Sequence, residues 1–116
     1  MIDPISLGTL IYLGVIAVVF VAVTLDELYS WFRNRSAVKE SNKDIVAFTL
    51  AQRVNGKEYV VVPGVFSGSH QTQIVQGFYN EKTKKVIEGR LMKSNKATAP
   101  EVVEMHKNGA GVVVYS

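Results

Sequence analysis

The sequence predicts a membrane-anchored α+β protein, with one N-terminal transmembrane helix followed by a small β-rich domain. Three observations predict it. No charged side chain occurs from Ile5 to Leu25. Asn55-Gly56 stands between two stretches of alternating apolar residues. Two further stretches of that kind flank the polar run from Asn80 to Lys84.

A helix of about twenty apolar residues crosses a hydrocarbon core of about 30 Å. The charge-free run has that length, and it is too apolar for a surface helix with one wet face. A secretory signal needs a basic start, a shorter apolar core and a small-x-small cleavage site. Met1 to Ser6 carry Asp3 and no lysine or arginine. Arg33, Arg35, Lys39 and Lys43 follow the run. The positive-inside rule therefore places the N-terminus outside and the C-terminal domain in the cytoplasm of a cell membrane crossed once. Tyr29, Trp31, Phe32, Arg33 and Arg35 have the composition of a membrane interface, with aromatic rings beside arginines that can snorkel. Leu25, Leu28, Tyr29 and Phe32 keep helical spacing. One continuous helix is thus expected from Ile5 to Ser36, its last turns lying on the interface or against a partner protein. The small residues Gly8 and Gly14 make no G-x-x-x-G pair for helix dimerisation.

The predicted organisation is residues 1–36 for the helix and its interfacial extension, 37–43 for a polar linker, and 44–116 for a small soluble β-rich domain. Asp44 to Val54 reads as a strand. Asn55-Gly56 suits a type I′ turn, which needs positive φ at both central residues. Glu58 to Val62 is the expected return strand, with Arg53 opposite Glu58, Leu50 opposite Val61 and Ala51 opposite Val60. Pro63-Gly64 ends or bends it. Thr72 to Tyr79 and Lys85 to Lys93 form a second hairpin. Ile74, Gln76 and Phe78 share one side of it, and Val75 and Tyr79 the other. Gly77 and Gly89 inside these strands signal a bulge or a bend.

Thr98-Ala-Pro-Glu101 has the form of a capping box with proline in the first turn. It should open a helix through about Lys107, packed through Val102, Val103, Met105 and His106. Asn108-Gly109 is the expected left-handed cap, and Gly111 to Tyr115 a final strand. The order β-β-β-β-α-β fits either an SH3-like or OB-like small barrel or an open antiparallel sheet.

Composition narrows the function classes. The 116 residues are 47% hydrophobic and 20% charged, with no cysteine. Disulfides, thiolate zinc sites and cysteine nucleophiles are excluded. A net charge of +3 suits an anionic membrane face but falls short of the basic stripe of a nucleic-acid binder. His70 and His106 fall in different elements, and two histidines do not make a zinc site. Ser67-Gly-Ser69-His70 has a serine beside a histidine but no orienting carboxylate. No glycine-rich turn precedes a helix, so no phosphate-binding loop is expected. Lys82, Lys84 and Lys85 form a basic hairpin tip, a candidate partner or lipid contact.

These features point to a non-enzymatic accessory or scaffold protein with no cofactor and no metal. Its helix sits in the lipid bilayer, and its β domain docks a protein partner or stabilises a membrane complex. The contact is expected at the sheet edges or along the stalk from Tyr29 to Arg35. The alternative is a membrane-tethered sensor domain that binds a small ligand or nucleic acid, with nucleic acid the less expected of the two.

Overall fold

A computed structural model describes residues 17–59 and 70–115. The chain order is β1 (Ala17–Phe20), α1 (Leu25–Arg33), α2 (Ser36–Glu40), β2 (Ile45–Val54), β3 (Lys57–Glu58), β4 (Thr72–Asn80), β5 (Lys85–Ser94), α3 (Pro100–Asn108) and β6 (Val112–Tyr115). The strands form one mixed sheet in the order β1-β5-β4-β2-β3, with β6 also paired to β2.

The transmembrane helix is overturned. Among the described residues, no helix is long and apolar enough to cross a membrane. The end of the charge-free run is strand β1, which pairs parallel with β5 from Ala17↔Arg90 to Phe20↔Lys93. The Thr24 hydroxyl then accepts from Glu27 N–H at 3.1 Å and starts a separate helix, α1. No continuous helix therefore runs from Ile5 to Ser36, and residues 5–16 of the expected span lie outside the described ones. The error has a physical source. Ala17–Phe20 is a short run of β-branched and aromatic residues, and a short apolar run of that kind does not by periodicity tell a strand from part of a membrane helix. The single-pass anchor, its membrane localisation and the cytoplasmic orientation built on it fall together.

Topology explains where the helices lie. β1 and β2 run parallel but are separated in the sheet by β5 and β4. The connection must cross those two strands, which lays α1 over them. Likewise the chain from β5 to β6 crosses β4 and β2, carrying α3 over the same face. Val23, Leu28, Ala51, Ile74, Met92 and Val102 pack together there. Beside them Trp31, Ile45, Ala47 and Phe78 form a second cluster. The opposite face carries Phe48, Leu50, Val75, Tyr79 and Leu91.

The first hairpin has the expected turn. Asn55 and Gly56 take φ of 49° and 84°, and Arg53 faces Glu58 at 3.1 Å. The longer return strand is not supported at Leu50. That edge of β2 pairs Leu50 with Val112 of β6, while Val60, Val61 and Pro63-Gly64 lie outside the described residues. The second hairpin forms where expected, with Ile74, Gln76 and Phe78 on one face of β4 and Val75 and Tyr79 on the other, and it pairs Thr72 with Ser94 and Asn80 with Lys85. Asn80 Oδ1 accepts from the N–H groups of Lys82 and Thr83 at 2.9 and 3.0 Å, closing the turn. Gly77 stands directly opposite Gly89, and a Cβ on Gly77 would sit 2.5 Å from the Glu88 carbonyl oxygen. The register shifts just beyond, between Phe78 and Tyr79.

Several further expectations are corrected. The sheet is mixed rather than antiparallel, and the described strands pair as an open sheet rather than a barrel. The linker contains α2. Thr98 does not cap α3: Ala99 holds the cap position without a side-chain bond, and the Thr98 hydroxyl shares a hydrogen bond with Thr72 at 2.8 Å. Gly109 has φ of −92°, and the left-handed residues are Ala110 and Gly111.

Candidate functional site

Helix α1 is amphipathic, with Leu28 and Trp31 buried. A hydrophobic face of this kind needs a partner surface, and here the partner is the chain's own sheet. Arg90 on β5 is only 8% exposed. Its guanidinium donates to Gln76 Oε1 at 2.8 Å, Glu27 Oε1 at 3.0 Å and the Glu27 carbonyl at 3.3 Å. Gln76 in turn donates to the Leu28 carbonyl at 2.7 Å. Burial pushes the Arg90 pKa down, while its hydrogen bond and ion pair with Glu27 hold the charged form. The helix is thus fastened to β4 and β5 by a fixed fork of polar contacts.

That fastening fixes five aromatic rings. Trp31 stacks on Phe78 with centroids 5.6 Å apart. Phe32 meets Phe78 edge-on at 5.6 Å and Tyr115 at 5.0 Å. Tyr29 meets Tyr115 edge-on at 6.1 Å. Between these rings and α2 opens a cleft of about 340 Å³. Tyr29, Phe32, Phe78 and Tyr115 form its walls, with Ala47 also lining it. Arg33, Ser36, Lys39 and Glu40 complete the lining from the helices. Arg33 reaches Asp26 only loosely, at 3.9 Å with both side chains mostly exposed. Lys39 donates to the Tyr115 carbonyl at 3.4 Å.

Behind the Tyr115 wall lies a buried neutral chain. His106 Nδ1 is 2.7 Å from the Val102 carbonyl, which can only accept, so Nδ1 carries the proton. Nε2 must then accept, and Thr49 donates to it at 2.8 Å. The Thr49 oxygen is left to accept from the Tyr115 hydroxyl at 2.8 Å. Each hydroxyl direction follows from one carbonyl. Burial lowers the His106 pKa below its usual 6.5, against the opposing pull of the Val102 carbonyl. Burial pushes the Tyr115 phenol up to about 12. Its hydroxyl is turned away from the cleft's interior, towards Thr49.

The residues singled out in the sequence are split by the fold. Tyr29, Phe32 and Arg33 line the cleft. Trp31 is buried in the protein's own core, 8% exposed, rather than placed at a lipid boundary. Arg35 turns back to pair with Glu88 at 2.9 Å and lies 4.3 Å above the Trp31 ring. Lys82, Lys84 and Lys85 are exposed on the β4–β5 hairpin tip and take no part in the cleft. Ser67 and Ser69 lie outside the described residues. His70 and His106 are not brought together, and among the described residues no cluster of three or more metal-ligating side chains occurs. Phe78, Tyr115 and Thr49 were not recognised as site residues. Each was legible only as a strand position, because its partners lie tens of residues away in sequence.

Comparison of the chain with protein families, with characterised proteins and with solved structures finds no match. The site is therefore read from its own geometry.

Proposed function

We propose that the chain is a docking domain whose aromatic cleft receives an apolar or aromatic side chain from an acidic segment of a partner protein. The observation that carries this reading is the cleft itself. Four rings are held open to it by contacts with the core. Its size is at the low end of the roughly 300–1,000 Å³ typical of ligand pockets, suited to one or two large side chains. Rings pre-set in this way bind at low entropic cost, and aromatic and arginine side chains are the usual anchors of interfaces. Arg33 and Lys39 outnumber Glu40 in the lining, and Arg33 meets Asp26 only in a loose, exposed pair at 3.9 Å, which favours a negatively charged segment.

The test is a peptide selection against the intact protein, followed by titration of the enriched peptides. The chain has a single tryptophan, and Trp31 stacks on the cleft residue Phe78. Its fluorescence therefore reports on the cleft. The expected result is an enriched aromatic residue next to Asp or Glu, with saturable quenching or shift of Trp31. Ser36→Phe, at an exposed lining position, should abolish binding while leaving the fold intact. Enrichment of no motif, or binding that ignores Ser36→Phe, overturns the reading.

A further inference from the structure

A second, chemically different pocket lies at the far end of the β1–β5 pair. It measures about 270 Å³ and is lined by Phe20, His70, Lys93, Asn95 and Lys96, with Ser94 and the Val21-Ala22 backbone segment. The sheet assembles it. Parallel pairing puts Phe20 beside Lys93. The antiparallel pair Thr72↔Ser94 brings the start of β4 to the end of β5. Gln71 N–H then donates to Asn95 Oδ1 at 3.2 Å, which sets His70 alongside the loop that carries Lys96.

Two properties point to a ligand. Two lysines and a histidine line the pocket, and none of its described lining residues is a carboxylate. Phe20 is 70% exposed, its ring tilted against His70 with centroids 5.5 Å apart. A large apolar ring left in water beside cationic groups is the pairing that stacks a flat base while its phosphate is held electrostatically. A phosphate monoester, with a charge of about −1.5 to −2 and three acceptor oxygens, matches a lining of two lysines and a histidine better than a carboxylate does.

We propose that this pocket binds a mononucleotide-like phosphate ester, its phosphate held by Lys93, Lys96 and His70 and its ring laid on Phe20. The site is independent of the aromatic cleft. The chain has two histidines, so the imidazole NMR signals of the intact protein separate the pocket from an internal control, the buried His106. Adenosine monophosphate should move the His70 signals saturably and leave those of His106 in place. Glycerol 3-phosphate, which stands for a lipid headgroup, and inorganic phosphate should bind at least ~10-fold more weakly, a difference of about 1.4 kcal/mol. Lys96→Glu, at an exposed position, should abolish the response to all three. Phe20→Ser should bring adenosine monophosphate down to the level of glycerol 3-phosphate. No response to any phosphate, or one that survives Lys96→Glu, overturns the site. Equal affinity for adenosine monophosphate and inorganic phosphate overturns the role of the ring.

Discussion

Two polar systems are buried on the same face of the sheet, and they hold two helices by opposite means. Under α1 the contact is charged: Arg90 bridges Gln76 and Glu27. Under α3 it is neutral: Tyr115, Thr49 and His106 pass hydrogen bonds in one direction to the Val102 carbonyl. The charged system reaches the surface, since the Glu27 side chain is 37% exposed while that of Arg90 is 10% exposed. The neutral system is closed, with Thr49 and His106 both fully buried. Ions in solution can therefore reach the first, whereas only protonation disturbs the second. The comparison also separates fastening from function, because the Tyr115 ring faces the cleft while its hydroxyl serves the core.

The largest expected effect is on the charged side. Arg90→Met keeps an apolar stem but leaves Gln76 Oε1 and Glu27 without their donor. Gln76 is fully buried and an unsatisfied buried acceptor costs about 1–3 kcal/mol, so with the Glu27 contacts also lost Arg90→Met falls near the upper end of that range. Glu27→Gln should cost about 1 kcal/mol or less, because the amide oxygen still accepts from Arg90 and the position is partly solvated. Urea unfolding of both variants in low salt and in 1 M salt measures the asymmetry. Equal costs for the two, or an effect of Glu27→Gln that grows with salt, would show that the system is not built around a buried arginine.

How much of this was legible in the sequence follows from the range of each signal. Local turn chemistry carried well. Asn55-Gly56 predicts its positive φ values, and Asn80 to Lys84 predicts the second turn. Alternation set the faces of β4, with Ile74, Gln76 and Phe78 towards the helices. The apolar run before Leu25 misled, because a short apolar stretch such as Ala17–Phe20 does not by periodicity tell a strand from part of a membrane helix. Thr98 had the spacing of a cap, but its hydroxyl bonds Thr72 across the structure instead. The cleft was half legible: helical spacing marked Tyr29 and Phe32 as one face. Nothing local could pair them with Phe78 and Tyr115, since strand order is a non-local property.

On the neutral side, Thr49→Val preserves shape and removes the hydroxyl. It leaves both the Tyr115 donor and the His106 acceptor unmet. An unsatisfied buried group costs about 1–3 kcal/mol, so a loss near 2 kcal/mol is expected in urea unfolding. Tyr115→Phe should cost less, about 1 kcal/mol, because Thr49 still donates to His106. The order matters more than the values. A costlier Tyr115→Phe would mean that the chain runs from His106 outward, with the imidazole as donor.

The smallest effect is the pH response, and it has a definite sign. The His106 pKa is lowered on folding from an unfolded value near 6.5. Between those two values the unfolded chain binds more protons than the folded one. Stability from neutral His106 is therefore complete above about pH 6.5 and declines as the pH falls below it, until the folded pKa is reached. The slope cannot exceed about 1.4 kcal/mol per pH unit, and a drop from pH 7.5 to 5.5 should lower stability through this residue. His106→Gln is expected to be less stable at pH 7.5 yet flatter between the two pH values, and Arg90→Met should keep the full slope. If both variants flatten alike, the two fastenings are coupled through the sheet. If neither does, His106 is protonated in place and Thr49 reverses its hydrogen bond to accommodate it.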